Sequence, residues 1–153
     1  KWAGSPGLIM KLSKQQSGFT LLEIIVVVTI IAILAAYIAP KVSGRADDAR
    51  IAKAKSDIRV LESSLELYKL DNFTYPTTDQ GLQSLSEKPS GSELPHWRKG
   101  GYIKKLSNDP WGNAYIYLQP GTQAEFDIMS LGADATEGGA DSAADIGNWN
   151  LDS

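Results

Sequence analysis

The feature that most constrains this chain is FTLLEIIVVVTIIAILAAYIA, Phe19 to Ala39, 21 residues with a single charge at Glu23. As a helix rising ~1.5 Å per residue it spans ~30 Å, the thickness of a bilayer's hydrocarbon core. A carboxylate at that depth costs ~2.5–3.5 kcal/mol on insertion scales and needs a partner. No Lys or Arg lies between Lys14 and Lys41 to supply one. The run is too long for the apolar region of an ordinary secretory signal peptide, and Tyr37 spoils the small-residue cleavage site before Pro40. A plain membrane anchor accounts for the length but not for an acid one turn in. Two readings accommodate the acid. Glu23 can rest near the interface, stabilised by the helix N-terminus and by water. Alternatively, a cut between Gly18 and Phe19 creates an α-ammonium four residues from Glu23, on the same helix face. Such a cut also deletes the basic leader carrying Lys1, Lys11 and Lys14, which holds the N-terminus on the cytoplasmic side.

Charge is distributed unevenly along the rest. All 18 acids lie from Glu23 onward, against 12 of the 15 Lys and Arg, and no cation follows Lys105. That acidic balance argues against a nucleic-acid partner. The absence of Cys rules out disulfides, thiolate metal sites and thiol nucleophiles, and the single His96 rules out multi-His centres. A length of 153 residues allows one compact domain and an appendage. The expected division is a leader at 1–18, a membrane or assembly helix at 19–39, and a domain at 40–153.

After Pro40 the apolar positions Ile51, Ala54, Ile58, Leu61, Leu65 and Tyr68 recur at alternating spacings of three and four, which predicts a helix with one buried face. Asp71-Asn72 and Tyr75-Pro76 supply its stop. Pro40 removes a backbone donor and Gly44 adds freedom, so a kink or melted turn is expected between about residues 39 and 44, in the assembled form especially. Further on, the run from Tyr75 to Leu85 is expected to hold a capped short helix starting near Thr78. Three short strands are expected at 102–104, 114–118 and 126–131, separated by the turn signals Asp109-Pro110-Trp111-Gly112 and Pro120-Gly121. The economical arrangement is α+β, a small antiparallel sheet laid on the second half of the long helix.

The run SLGADATEGGADSAADIGNW gathers Asp134, Glu137, Asp141 and Asp145 with four glycines and no cation. Its composition fits either a solvated acidic loop or one fixed by Ca2+, which takes six to eight oxygens in flexible loops; the spacing is not that of an EF-hand. Trp149 is expected to pack the end of this loop onto the sheet as ordinary core. Asp141 and Asp145 could be imagined as an acid/base pair of a membrane-anchored hydrolase. Nothing in the sequence suggests a substrate pocket, and no His, Lys or Arg lies near them.

Lys14-Gln15-Gln16-Ser17-Gly18 followed by Phe19-Thr20-Leu21-Leu22-Glu23 resembles the signal of type IV pilins and type II secretion pseudopilins. KLDN-x-x-YP-T-x-x-QGL, DPWGN-x-Y, SLGAD and ADIGNW are together similar to the major pseudopilins of type II secretion systems. The resemblance implies a pilin-like fold and a structural subunit, not an enzyme. A prepilin peptidase would cut after Gly18 and methylate Phe19, and Glu23 would register subunits in the filament, with Pro40 letting the apolar segment reorient. Starting at Met10 gives a leader of typical size; residues 1–9 match nothing and receive no function. The implied homopolymer waits in the inner membrane, N-terminus cytoplasmic, and grows into a periplasmic pseudopilus that drives folded proteins across the outer membrane. Minor pseudopilins and an inner-membrane assembly platform are its implied partners. The loop is implied to bind Ca2+ through the Leu131 and Thr136 backbone oxygens, Asp134, Asp141 and Asp145, with Ser142 as a further candidate. Ala143 stands where related loops often carry Asp. The alternative is a type IV pilin for adhesion or motility, many of which close a C-terminal loop with a disulfide that this chain cannot form.

Overall fold

The computed structural model describes residues 2–4, 7 and 17–153. The leader residues Met10 to Gln16 lie outside the described residues. The chain divides into two compact units, 1–41 and 42–153.

Helix α1, Leu21–Asn72, runs through both without interruption. It starts where Thr20 caps it: the Glu23 amide donates to Thr20 Oγ1 at 3.2 Å, and the Ile24 amide to the Thr20 carbonyl at 3.2 Å. This satisfies one of the orphan donors of a first turn. Asn72 ends it. Its Nδ2 donates to the Tyr68 carbonyl and to the Tyr102 hydroxyl, both at 2.9 Å. Phe73 then turns left-handed at φ 64°, with its amide on the Lys69 carbonyl at 2.7 Å.

The melted turn expected between residues 39 and 44 is absent; Pro40 and Gly44 are both helical. Proline deprives the ladder of one donor. Opening a whole turn would sacrifice several hydrogen bonds to relieve that single loss, and propagation through an already nucleated helix is the cheaper course.

In the unit 42–153, α1 buries the expected stripe. Ala54, Ile58, Leu61, Leu65 and Tyr68 are buried and Ile51 half-buried, with Ser64 joining the same face. Fully burying each Leu or Ile contributes about 1.5–3 kcal/mol. Against them pack Tyr75, Leu82, Leu85, Tyr117, Phe126, Ile128, Ile146 and Leu151.

Three antiparallel strands form one sheet in the order β1 (Ile116–Leu118), β2 (Asp127–Ser130), β3 (Ile146–Gly147). Tyr117 faces Ile128 across β1 and β2, and Ser130 faces Ile146 across β2 and β3. Two of the expected strands are present in shortened form. The expected strand at 102–104 is not a strand. Gly100 and Gly101 adopt positive φ, and the Tyr102 and Ile103 amides both turn onto the Leu85 carbonyl at 2.6 and 3.2 Å. A Cβ on Gly101 would lie 2.8 Å from that carbonyl, so the turn needs glycine there.

The expected helix after Thr78 is a turn followed by a 3₁₀ segment, Leu82–Leu85. No side chain caps the 3₁₀ segment, which starts after Gly81; Thr77 closes the preceding turn, its Oγ1 accepting from the Gln80 amide at 3.2 Å while Gln80 Oε1 accepts from the Thr77 amide at 3.0 Å. Thr78 instead ties this turn to the Gln119 backbone through two bonds of 3.0 and 2.9 Å. Trp149 is 40 % exposed, its ring lying over Gly147 and not within the core.

Candidate functional site

Two regions gather the residues singled out by the sequence. At the start of α1, Gly18, Phe19 and Thr20 have no regular secondary structure and are exposed, as is Glu23. The scissile peptide of the expected cut therefore sits in open chain immediately before the cap. Thr20 and Glu23 occupy the first and fourth positions of a Thr-x-x-Glu sequence, a helix-start signature that the reading of Glu23 as a counter-ion overlooked. Glu23 is thereby placed at the positive end of the helix dipole. Pro40 lies far along the same helix, inside its helical span. From Leu21 the helix is long and apolar enough to cross a membrane, and the apolar window is wholly unburied.

The second region is the loop between β2 and β3. Ser130 anchors its base: Oγ donates to Asp109 Oδ2 at 2.6 Å and accepts from the Gly132 amide at 3.2 Å, all three residues being buried. Two 3₁₀ turns, Gly132–Asp134 and Asp141–Ala143, pack against each other. Their approach needs bare backbone, since a Cβ on Gly132 would lie 2.9 Å from the Ala144 carbonyl and one on Gly139 would overlap the Ala143 carbonyl. Ala135 and Asp141 both take left-handed backbone, at φ 55° and 54°.

Within that frame Asp134 Oδ1 accepts from the Thr136 amide at 3.1 Å, and Asp145 Oδ2 accepts from the Gly138 amide at 2.9 Å. The other oxygen of Asp145, Oδ1, is buried with no hydrogen-bond partner. A buried carboxylate oxygen without a donor is costly, and a cation would satisfy it. Asp134 and Asp141 remain exposed, and Leu131 and Ser142 half-buried. No group of three acids or His converges as a ready metal centre among the described residues. The donor set suits an oxygen-seeking cation only if backbone carbonyls complete it, as Ca2+ permits.

Comparison with known proteins joins these two regions. The prokaryotic N-terminal methylation motif matches residues 13–39, and the family described as type II secretion system (T2SS), protein G matches residues 41–149. The chain belongs to the type II secretion system protein G family. The core protein G of Pseudomonas aeruginosa is 57 % identical over 138 residues, covering 90 % of this chain and 97 % of that one. Its counterpart in Vibrio cholerae is 53 % identical over 142 residues, covering 93 % and 97 %. The fold is similar to the crystal structure of the major pseudopilin from the type 2 secretion system of enterohaemorrhagic Escherichia coli. That match has a TM-score of 0.61 at 45 % identity, over 70 % of this chain and 92 % of that chain. Protein G family membership favours the secretion pseudopilin over the adhesive type IV pilin. The family is a structural component of secretion.

Proposed function

We propose that the chain is cut between Gly18 and Phe19 by a prepilin peptidase, methylated on Phe19, and polymerised into a periplasmic pseudopilus. Before assembly it rests in the inner membrane with its N-terminus cytoplasmic, and the unit 42–153 stands on the periplasmic side. No chemistry is performed by its own residues. The energy comes from a separate cytoplasmic ATPase, and the assembly platform and minor pseudopilins are the partners the chain assembles with.

The observation that carries this reading is the start of α1. Thr20 fixes the first turn, so the newly freed Phe19 nitrogen emerges just ahead of a helix whose Glu23 carboxylate is one turn away. The apolar segment lacks any Lys or Arg. The nitrogen of Phe19, on the same chain or on a neighbour lying alongside, is therefore the natural counter-ion for Glu23 in a low-dielectric setting.

The acidic loop is proposed to hold one Ca2+. Asp145 Oδ1 supplies the buried oxygen, with Asp134, Asp141 and the Leu131 and Thr136 carbonyls as further donors and Ser142 available to replace the carboxylate missing at Ala143. Bound there, the ion would neutralise carboxylates that otherwise repel and would tie the two 3₁₀ turns together.

The processing claim is tested by mass spectrometry of the protein taken from membranes of cells with an active prepilin peptidase. The expected N-terminus is N-methyl-Phe19. Retention of residues ahead of Phe19 would overturn it.

A further inference from the structure

One face of the apolar helix carries Glu23, Val27, Ile30, Leu34, Tyr37 and Lys41, at spacings of four and three. Glu23 and Lys41 are 18 residues apart. That is five whole turns, so they lie on the same side of the helix and ~27 Å apart along its axis, close to a bilayer's hydrocarbon thickness. Lys41 is the first cation after Lys14. Its Nζ donates to the Tyr37 hydroxyl at 3.1 Å and sits 4.5 Å from the centre of the Tyr37 ring. Both side chains are exposed, Tyr37 at 66 %.

We propose that Tyr37 and Lys41 form the interfacial anchor that sets the depth of the helix on the side facing residues 42–153, with a phospholipid phosphate as the ligand of the Lys41 ammonium. This rests on the reading that the chain occupies a bilayer before assembly. The chemistry suits that place. An ammonium has three donors, and with one directed to Tyr37 two remain for phosphate oxygens. A tyrosine ring is apolar on its body and polar at its tip, which is why such residues collect at the membrane–water boundary. The Lys41 stem can lie along the apolar surface while its head reaches the headgroups. Glu23 lies in the first turn of the helix, at the opposite end of the apolar segment. The pair thus fixes the register of the apolar column, and it must be released when a subunit leaves the lipid.

The full chain contains no Cys, so single thiols report depth without interference. Ile38→Cys, Val42→Cys and Gly44→Cys chains are placed in phospholipid vesicles and treated with a membrane-impermeant maleimide. Resistance to alkaline carbonate extraction is checked for each. Labelling is expected at residues 42 and 44 but not at 38. Adding Tyr37→Leu with Lys41→Leu should move the boundary by about one turn, ~4 residues, toward the C-terminus. In vesicles of a phosphate-free glycolipid, the contribution of Lys41→Leu should shrink while that of Tyr37→Leu persists. An unmoved boundary in carbonate-resistant double variants overturns the anchor and leaves the membrane reading standing. An equal Lys41 effect without phosphate overturns the ligand. A shift seen only at densities where copies cross-link assigns the pair to a neighbouring subunit and overturns the lipid contact. Loss of carbonate resistance in the single-thiol parents overturns the membrane reading itself.

Discussion

Asp127 is almost fully buried at the start of β2, yet it accepts from the Thr122 amide at 2.6 Å, the Thr122 hydroxyl at 2.8 Å, and the Gln123 and Ala124 amides at 3.1 Å. Burial pushes its carboxyl up, but these hydrogen bonds outweigh that and hold it below its ordinary value of 3.8. A carboxylate depressed in the folded state stabilises fully above its unfolded-state value, ~3.9. That stabilisation is lost as pH falls through the lower folded value. Asp127→Asn should therefore cost about 1.5–3 kcal/mol at pH 7. Chemical denaturation at pH 7 and pH 3 checks this: the gap from the parent should shrink at the lower pH, and an equal gap at both would refute the charge-based account. Asp127 drew no attention in the sequence because its partners are local amides of a turn, which no residue pattern announces. Glu23 stands out in the sequence because a charge inside an apolar run is anomalous by itself, whereas Gly18 and Phe19 enter only with the supposed cut and the pilin-like signal. The buried oxygen of Asp145 was not legible, since composition names the acids of a loop without saying which one turns inward.

Helix α1 is one element with two kinds of surface. In its first half Ile33 is 65 % exposed, and in its second Leu65 is fully buried. Leu65→Ala is expected to lower the stability of the detergent-solubilised chain by about 2–5 kcal/mol, through lost burial and the cavity left behind. Ile33→Ala should leave the unfolding midpoint unchanged, because an exposed side chain gives up little burial when it is truncated. A comparable loss from both would show that the two halves unfold as one. The three-four spacing from Ile51 to Tyr68 foretold the buried face because a helix repeats its pattern over several turns. Strand β3 has only two residues, Ile146–Gly147, too few for any alternation to register, and it hides within the acidic run. The misplaced strand at 102–104 has β-favouring Tyr102 and Ile103, but Gly100 and Gly101 bend it onto Leu85 before it can pair. At Pro40, in the single chain, a local preference against helix is overruled by helical turns on both sides.

At the scale of the whole molecule, the acidic loop joins β2 to β3, so ordering it bears on the sheet. Asn150 donates to the Asp145 carbonyl at 3.1 Å and accepts from the Gly147 amide at 2.8 Å, which links the loop to the segment carrying Leu151. Chelation is expected to lower the melting temperature of the full chain in detergent. Calcium should restore it in a concentration-dependent way and magnesium should not. A melt indifferent to chelator would remove the ion from the account. The covering of α1 carries a consequence of its own. The stripe from Ala54 to Tyr68 is sheltered by side chains that come later in the chain, the last of them Ile146 and Leu151. During synthesis the ribosome thus delivers the sticky side of the helix well before its lid. A nascent chain halted short of those residues presents a wet hydrophobic ridge, and this interval is when chaperones and proteases have their best hold on it.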